Sequence, residues 1–159
     1  MNENVAIRLM GPADIPSVTA LFDELDAYHR QELPWLFRSP ESEPRDESFY
    51  HQIFNNGHEN IFVAETEQVV GIIQLTQRST PSLPIFVPQT RLLVDTLYVA
   101  EPFRRRGIAR ALMQKAEGWA HEIGAIGLDL SVYEFNKPAR LFFESMGYVT
   151  LNRGLSKPL

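Results

Sequence analysis

Hydrophobic residues along this 159-residue chain follow two spacings that occur in alternating stretches. Six segments are β-branched or have an apolar residue at every second position, which is typical of strands: residues 5–9, 61–64, 69–75, 91–100, 126–133 and 148–155. Only the polar tetrapeptide at 65–68 separates the second segment from the third, which predicts an antiparallel hairpin.

Four other segments repeat apolar residues at intervals of three or four, the spacing of an amphipathic helix: residues 15–25, 46–55, 107–123 and 136–146. Asp14 and Asn136 lie where N-caps are expected, because their side-chain oxygens accept hydrogen bonds from the first amides of a helix. The order of elements predicts a single α/β domain over residues 1–159 with a mixed sheet. The loop at 33–45 contains three prolines, and loops of that length often belong to binding sites.

The composition excludes several kinds of chemistry. The chain has no cysteine, which removes thiol nucleophiles, redox pairs and cysteine-bound zinc. Its four histidines show no close ligand spacing, so we expect no metal. No apolar run approaches the roughly 18 residues that span a membrane, and the N-terminus lacks a signal pattern. We therefore expect a cytoplasmic protein without membrane contact.

Charge is distributed unevenly along the chain. Residues 23–47 hold eight acidic residues and three arginines, which accounts for the whole net charge of −5. Four arginines lie within the seven positions from 104 to 110. The chain is acidic overall and has no basic stripe interleaved with aromatic residues, so we expect no nucleic-acid partner.

The strand at 91–100 runs into a turn rich in Arg and Gly, which opens directly into a helix. The first amides of a helix lack intrahelical partners and carry the positive end of its dipole, so they bind anions. Gly107 and Ala109 leave room for a bulky phosphate. Neither GxxxxGK[ST] nor GxGxxG is present, which disfavours nucleoside triphosphates and dinucleotides. The alternative interpretation is a solvated patch of three arginines.

The turn resembles the acyl-CoA signature [Q/R]xxGx[G/A] of the GCN5-related N-acetyltransferase (GNAT) superfamily, here Arg104-xx-Gly107-x-Ala109. A later segment is similar to the family's N-x-x-A-x-x-x-Y-x-x-x-G-[F/Y], here Asn136-xx-Ala139-xxx-Phe143-xxx-Gly147-Tyr148. The resemblance covers nearly all of the chain. It implies a mixed, mostly antiparallel sheet of six to seven strands flanked by about four helices.

The resemblance also implies an activity. Such enzymes move an acetyl group from acetyl-CoA directly to a primary amine within a ternary complex. The expected acceptor is a small cationic amine or a peptide or protein amino group. The lack of cysteine agrees with direct transfer. The alternative is a non-catalytic acyl-CoA-binding regulatory domain, and homodimers are common among such domains.

By the same resemblance, the strand that ends at the signature splays from its neighbour, and the pantetheine arm pairs with the backbone of residues 97–99. The Val99 amide would polarise the thioester carbonyl. Amides from 104 to 110 would hold the pyrophosphate, and Asn136 would contact the cofactor near its thioester end. The expected cofactor-binding residues are Leu97, Tyr98, Val99, Arg104, Arg105, Arg106, Gly107, Ile108, Ala109, Arg110, Asn136, Ala139 and Phe143.

Phe143 departs from the family pattern. The family often has Tyr at that position, where it donates a proton to the departing thiolate, and Phe has no proton to give. Tyr133 is our candidate for the replacement acid, with Ser131 and Tyr148 as further candidates. A thiolate with a pKa of about 8.5 is also able to leave without an acid.

The acceptor is an ammonium ion at neutral pH and must lose a proton before it attacks. Asp95 is the candidate base, because it lies in an otherwise apolar strand where burial would raise its pKa. A water chain is an alternative base, and an ion pair with Arg91 is an alternative role for Asp95. His29 is a weaker candidate for the base.

The acceptor side of the site is expected in the acidic segment at 23–47, whose local field would attract a cation. The candidate substrate-binding residues there are His29, Trp35 and Phe37. The alternative interpretations are an acidic face that keeps the protein soluble and a loop whose apolar side chains anchor it to the core.

Overall fold

A computed structural model describes residues 4–159, and five strands of this range form one sheet in sequential order. The strands are β1 (Ala6–Leu9), β2 (Glu59–Glu65), β3 (Val69–Ser79), β4 (Thr90–Val99) and β5 (Leu128–Leu130). The first four pair antiparallel, whereas β5 lies parallel to β4. The predicted hairpin at 61–75 is confirmed as β2 and β3.

Helices cover both faces of the sheet. They are α1 (Ile15–Glu32), α2 (Glu47–Asn55), α3 (Ile108–Glu122) and α4 (Lys137–Ser145). The first two bury side chains such as Val18, Phe22 and Tyr50 against one face of the sheet. The other two bury Leu112, Trp119 and Phe143, among others, against the opposite face. The predicted α/β class with a mixed sheet and four helices is therefore confirmed.

Two of the three N-caps act as their residue types suggest. The Asp46 carboxylate accepts hydrogen bonds from the amides of Ser48 and Phe49, and the Asn136 side chain accepts one from the Ala139 amide at 3.2 Å. Asp14 precedes α1 as predicted but does not cap it. Its carboxylate instead accepts from Arg8 at 2.7 and 2.9 Å and from the Gly11 amide at 2.8 Å.

The expected six to seven strands are wrong, since residues 4–159 form five. No strand forms at 148–155, where Val149 and Leu151 are each 87% exposed. An alternating pattern yields a strand only where a sheet edge pairs with it, and within the described chain nothing pairs with this segment. The strand predicted at 126–133 is shortened to Leu128–Leu130.

Candidate active site

One side of β4 loses its neighbour half-way along the strand. The last parallel pair between β4 and β5 joins Val94 to Leu130, while β4 continues beside β3 as far as Val99. The Ala100 amide donates to the Val70 carbonyl at 2.9 Å, which makes Val99 and Leu97 the residues whose N–H and C=O groups point away from β3. These backbone groups therefore face the side that β5 has left open.

Tyr98 has the opposite orientation. The register turns its N–H and C=O toward β3, and its side chain lies on the face covered by α1. The hydroxyl donates to Glu24 of α1 at 3.0 Å, and burial raises the pKa of Tyr98. Tyr98 thus connects the end of β4 to α1.

The Arg- and Gly-rich turn after β4 has the backbone shape of an anion site. Gly107 has φ +82° and precedes α3, so a left-handed residue is followed by right-handed helical residues, an arrangement that turns successive amides to one side. The first intrahelical bond runs from the Ala111 amide to the Gly107 carbonyl, which leaves the amides of 108–110 at the helix start. A Cβ atom on Gly107 would have no heavy atom within 4 Å, so the surface here is open.

The arginines of this turn have different environments. Arg104 Nε donates to the Val99 carbonyl at 2.8 Å, and Arg106 Nη2 donates to the Pro102 carbonyl at 3.1 Å. The side chains of Arg105 and Arg110 are exposed, and Arg105 has a left-handed φ of +65°. The run of arginines is therefore not a uniform patch, because two of its side chains bond to the backbone of the preceding segment.

Asp95 is the extra residue of a β-bulge in β4. Gln74 of β3 pairs with Thr96 and Leu75 pairs with Val94, so Asp95 has no partner in the ladder. Thr76 Oγ1 donates a short hydrogen bond to the Asp95 carboxylate. The bulge thus holds a carboxylate next to the backbone groups that face the open side.

The environment of Asp95 differs from the one we expected. Its side chain is open to solvent, not buried. The surrounding protein nevertheless raises its pKa by partial desolvation, which outweighs the hydrogen bond from Thr76 and the attraction of Arg78. The alternative of an ion pair with Arg91 is wrong, because Arg91 bonds to Asp129 at 2.5 and 2.7 Å.

Five aromatic rings from three segments meet beyond the C-terminal half of α1. His29 stacks on Phe37 at 5.4 Å between centroids and meets Tyr133 edge-on at 5.4 Å. Phe135 stacks on Tyr133 at 5.7 Å, and Tyr28 meets Phe135 edge-on at 5.5 Å. Burial lowers the pKa of His29, so its ring is neutral at pH 7. We call these five residues the aromatic cluster.

The structure brings together two of the three predicted substrate-binding residues, His29 and Phe37, and adds Tyr133, which was predicted as the acid. Trp35, the third predicted substrate-binding residue, lies outside the aromatic cluster and is 70% exposed. Phe37 is half-buried, so the prediction that this loop is anchored by apolar side chains holds for Phe37 and not for Trp35.

The loop between α1 and α2 is held over a negatively charged cavity of about 540 Å³. Arg45 fixes the loop by bonding to Asp26 at 2.6 Å and by lying over the Phe22 ring at 4.2 Å. Burial, followed by repulsion from Glu43 and Asp26, raises the pKa of Asp23 in the cavity wall. The acidic segment is thus folded around a cavity whose lining contains four acidic residues and Arg30.

Phe143 lies in the hydrophobic core, with its ring 5.2 Å from that of Phe142 and 5.6 Å from that of Tyr148. Burial raises the pKa of Tyr148 to about 12, which makes its hydroxyl a weaker acid than a thiol. Asn136 uses its side-chain oxygen to cap α4. Tyr133, by contrast, is an exposed ring beside the loop that follows β5.

Sequence reasoning missed several residues of this site. Thr76 bonds to Asp95, Glu24 bonds to Tyr98, and Tyr28 and Phe135 complete the aromatic cluster. The contacts Thr76–Asp95, Glu24–Tyr98 and Tyr28–Phe135 join different segments, and no spacing within one segment signals them. The proximity of Phe135 to Asn136 was the one available hint.

Two further properties concern residues 4–159 as a whole. No helix there is long and apolar enough to cross a membrane. The same range contains no group of three or more His, Asp or Glu side chains that is arranged to hold a metal ion.

The sequence profile of the acetyltransferase (GNAT) family matches residues 21–148, and the chain belongs to that family. A segment of 62 residues is 34% identical to thialysine N-epsilon-acetyltransferase of Caenorhabditis elegans. Another comparison gives 32% identity over 72 residues with the uncharacterized N-acetyltransferase YdgE of Bacillus subtilis (strain 168). The match to the Caenorhabditis elegans enzyme covers 39% of this chain and 39% of that protein. The match to YdgE covers 45% of this chain and 46% of that protein, so the chain spans less than half the length of either relative.

Solved structures share the fold over nearly the full chain. A tetramutant of the BH1408 protein from Bacillus halodurans superposes with a TM-score of 0.90 at 23% identity, covering 97% of this chain and 99% of that one. Aminoglycoside N-acetyltransferase AAC(6')-Iy in complex with CoA gives a TM-score of 0.76 at 16% identity, covering 98% and 95%. At these identities the likeness concerns the fold alone.

Proposed function

We propose that this chain is an acetyl-CoA-dependent N-acetyltransferase that acetylates a primary amine by direct transfer. The observation that carries the proposal is the open side of β4 beyond Val94, followed nine residues after Val99 by the amides at the start of α3 that have no intrahelical partner. This run of backbone groups contains the N–H and C=O of Leu97, the N–H of Val99 and the amides of 108–110, whereas the Val99 carbonyl already accepts a hydrogen bond from Arg104. In a chain of the GNAT family, this run suits an elongated cofactor that ends in phosphates.

The described residues carry groups that suit coenzyme A. Leu97 presents its N–H and C=O groups, and Val99 its N–H group, to the open side of β4, where an amide-rich pantetheine arm would pair. The open left-handed turn at Gly107 and the amides of 108–110 would hold the pyrophosphate. When bound there, acetyl-CoA supplies an acetyl thioester next to β4.

In this proposal the Val99 amide donates to the carbonyl oxygen of the acetyl group as negative charge develops on it. Backbone N–H groups fixed toward that position stabilise the charge without having to reorganise. Val99 N–H is held in its direction by the pairing of its neighbours with β3. The residue therefore contributes through its backbone, and its side chain remains in the core.

Asp95 is proposed as the base that removes a proton from the acceptor's ammonium group, directly or through water. The raised pKa of its carboxyl makes the carboxylate a stronger base than an ordinary Asp. Its position on the bulge leaves it accessible to solvent and therefore to an acceptor. Once the proton is lost, the nitrogen lone pair attacks the acetyl carbon and the bond from that carbon to sulfur breaks.

Tyr133 is proposed as the group that gives a proton to the departing sulfur. Phe143 lacks a proton and is buried, and the pKa of Tyr148 makes it a poor donor. Tyr133 is an exposed residue that follows β5, the strand whose departure opens the side of β4.

The acceptor is proposed to be a cationic amine that carries a hydrophobic portion. The cavity under the loop after α1 is lined by acidic residues, which attract a cation. The aromatic cluster provides an apolar surface with a neutral His29 beside that cavity's helix. The name of one relative, a thialysine N-epsilon-acetyltransferase, agrees with an amine acceptor.

The test is to incubate the protein with acetyl-CoA and a panel of amines and to measure release of the CoA thiol. The panel contains spermine, kanamycin, thialysine, a neutral amino acid and a peptide N-terminus. Turnover of at least one cationic member supports the proposal. Turnover confined to the neutral amino acid overturns the cationic acceptor, and tight CoA binding without turnover of any amine favours a regulatory binding domain.

A further inference from the structure

The side chain of Arg104 reaches back along the chain and not toward the helix that follows it. Its Nε donates to the Val99 carbonyl at 2.8 Å, and its guanidinium lies over the Tyr98 ring at 5.2 Å. The Val99 carbonyl faces the open side of β4, where no strand formed by residues 4–159 supplies a donor. Arg104 therefore supplies the hydrogen bond that a neighbouring strand would otherwise make.

We propose that the Arg104 side chain is a positioning residue that clamps the end of β4, rather than a ligand of the cofactor phosphates. The inference rests on the proposed function, since it concerns the groove that would hold acetyl-CoA. The clamp fixes the direction of the last peptide groups of β4, including the Val99 amide. The phosphates are left to the amides of 108–110 and to exposed cations such as Arg105 and Arg110.

The bond that Arg104 uses distinguishes the two roles chemically. It runs through Nε, which is separated from Cα by the same number of bonds as the amide nitrogen of a glutamine side chain. Glutamine is therefore able to make the same hydrogen bond without a charge. Lysine keeps the charge but has a methylene group at the position of Nε. A clamp thus accepts Gln and rejects Lys, whereas a phosphate ligand accepts Lys and rejects Gln.

The experiment compares Arg104→Gln, Arg104→Lys and Arg104→Met, with Arg153→Met in the exposed C-terminal segment as the control for loss of a surface cation. Hydrogen–deuterium exchange of the peptide covering 96–104 reports the clamp directly. We expect faster exchange in the Lys and Met variants, and exchange close to that of the wild type in the Gln variant. The KM for acetyl-CoA should rise about tenfold with Lys and Met, because a hydrogen bond to a charged donor is lost, and about twofold or less with Gln.

S-acetyl-pantetheine, which has no phosphates, provides a second readout. Loss of the clamp lowers kcat/KM for this donor by a similar factor, whereas loss of a phosphate ligand leaves it unchanged. The proposal is overturned if Lys behaves like the wild type and Gln like Met, or if all variants exchange alike. Exchange is measured on the protein alone, so the clamp is tested even if the wild type acetylates no amine.

Discussion

Arg91 and Asp129 form a two-point ion pair across the parallel strands β4 and β5, with N···O distances of 2.5 and 2.7 Å. The same guanidinium lies against Gly127, where a Cβ atom would come within 2.5 Å of Nη2. The Leu92 amide donates to the Gly127 carbonyl at 3.0 Å. A side chain at position 127 would therefore displace the Arg91 guanidinium from its ion pair with Asp129.

Replacing Gly127 with Ala should destabilise the fold by about 1–3 kcal/mol, since the new methyl group must displace the Arg91 side chain. The free energy of unfolding in urea measures this. Gly118→Ala is the matched control. It lies in α3 with no heavy atom within 4 Å of a Cβ, and it should raise stability by about 1 kcal/mol.

The contact between a Cβ at position 127 and the Arg91 guanidinium predicts that the effects of substituting these two residues on stability are not additive. In an Arg91→Ala background, Gly127→Ala should cost little, because the colliding guanidinium is gone. Additive effects of the two substitutions would contradict the contact described above.

Asp95→Asn should lower kcat by about 100-fold, as expected for loss of a general base, with little change in the KM for acetyl-CoA. Asp95 acts when deprotonated, so kcat should rise with pH up to the pKa of this group, which lies above that of an ordinary Asp. The measurement is the pH profile of kcat for the amine that the protein turns over.

Thr76→Val supplies the companion test. The Thr76 hydrogen bond lowers the pKa of Asp95, so removing it should raise that pKa further and move the acidic limb to higher pH. The rate at high pH should be retained. If the acidic limb of the kcat profile keeps the same pH midpoint in Thr76→Val, that limb reports the ionisation of a group other than Asp95.

Gly107→Ala should weaken CoA binding while Gly124→Ala should not. Both glycines have a left-handed φ, +82° and +69°, and neither has a heavy atom within 4 Å of a Cβ. Each substitution should therefore cost a similar stability of about 1–2 kcal/mol. Only Gly107 lies in the turn proposed to hold the pyrophosphate. Calorimetric titration with CoA separates the two, and equal affinities would remove the turn from the cofactor site.

Substitutions in the aromatic cluster should separate acceptor binding from proton donation. Phe37→Ala removes a ring stacked on His29 and should raise the KM for the amine without changing the KM for acetyl-CoA. Tyr133→Phe keeps the ring and removes the proton, so kcat should fall about tenfold or more. Initial rates with each substrate varied in turn provide the measurement. A Tyr133→Phe enzyme with unchanged kcat would indicate that the thiolate leaves without this acid.

Protonation of Asp14 at acidic pH should lower the free energy of unfolding of the protein. The Arg8 hydrogen bonds hold the pKa of this nearly buried carboxyl below its ordinary value. Its contribution is complete above the unfolded-state pKa of about 4 and is lost as the pH falls through the folded-state pKa. Asp14→Asn should therefore be less stable than the wild type at pH 7, with a difference that narrows toward pH 2. Glu65→Gln, which removes the exposed partner of Arg8, should show a smaller effect.

The fold was predictable from sequence wherever periodicity acts within one segment. The β2–β3 hairpin, the four amphipathic helices and the cap at Asn136 follow from local pattern. The prediction of a strand at 148–155 was wrong, because the alternation of apolar and polar residues does not show whether a sheet edge is available for pairing.

The site was predictable in part. The signature turn and its positive φ at Gly107 follow from a short motif with a known backbone requirement. The bulge at Asp95 depends on the pairing register of β3 and β4, and the contact between His29 and Tyr133 depends on tertiary packing. Neither can be predicted from the spacing of residues along the chain. The position of Asp95 among apolar strand residues singles it out in the sequence, and its role as the base stays a prediction.

The β-bulge at Asp95 also changes the direction of the backbone N–H and C=O groups that follow it in β4. Before it, Leu92 and Val94 turn their peptide groups toward β5; after it, Leu97 and Val99 do so. A regular strand would have kept the even-numbered residues on that side. The inserted residue therefore reverses which residues of β4 turn their peptide groups toward β5. The same bulge both exposes the Asp95 carboxylate and sets the direction of the Val99 amide. Deleting Asp95 would remove both at once, whereas substituting it removes only the first.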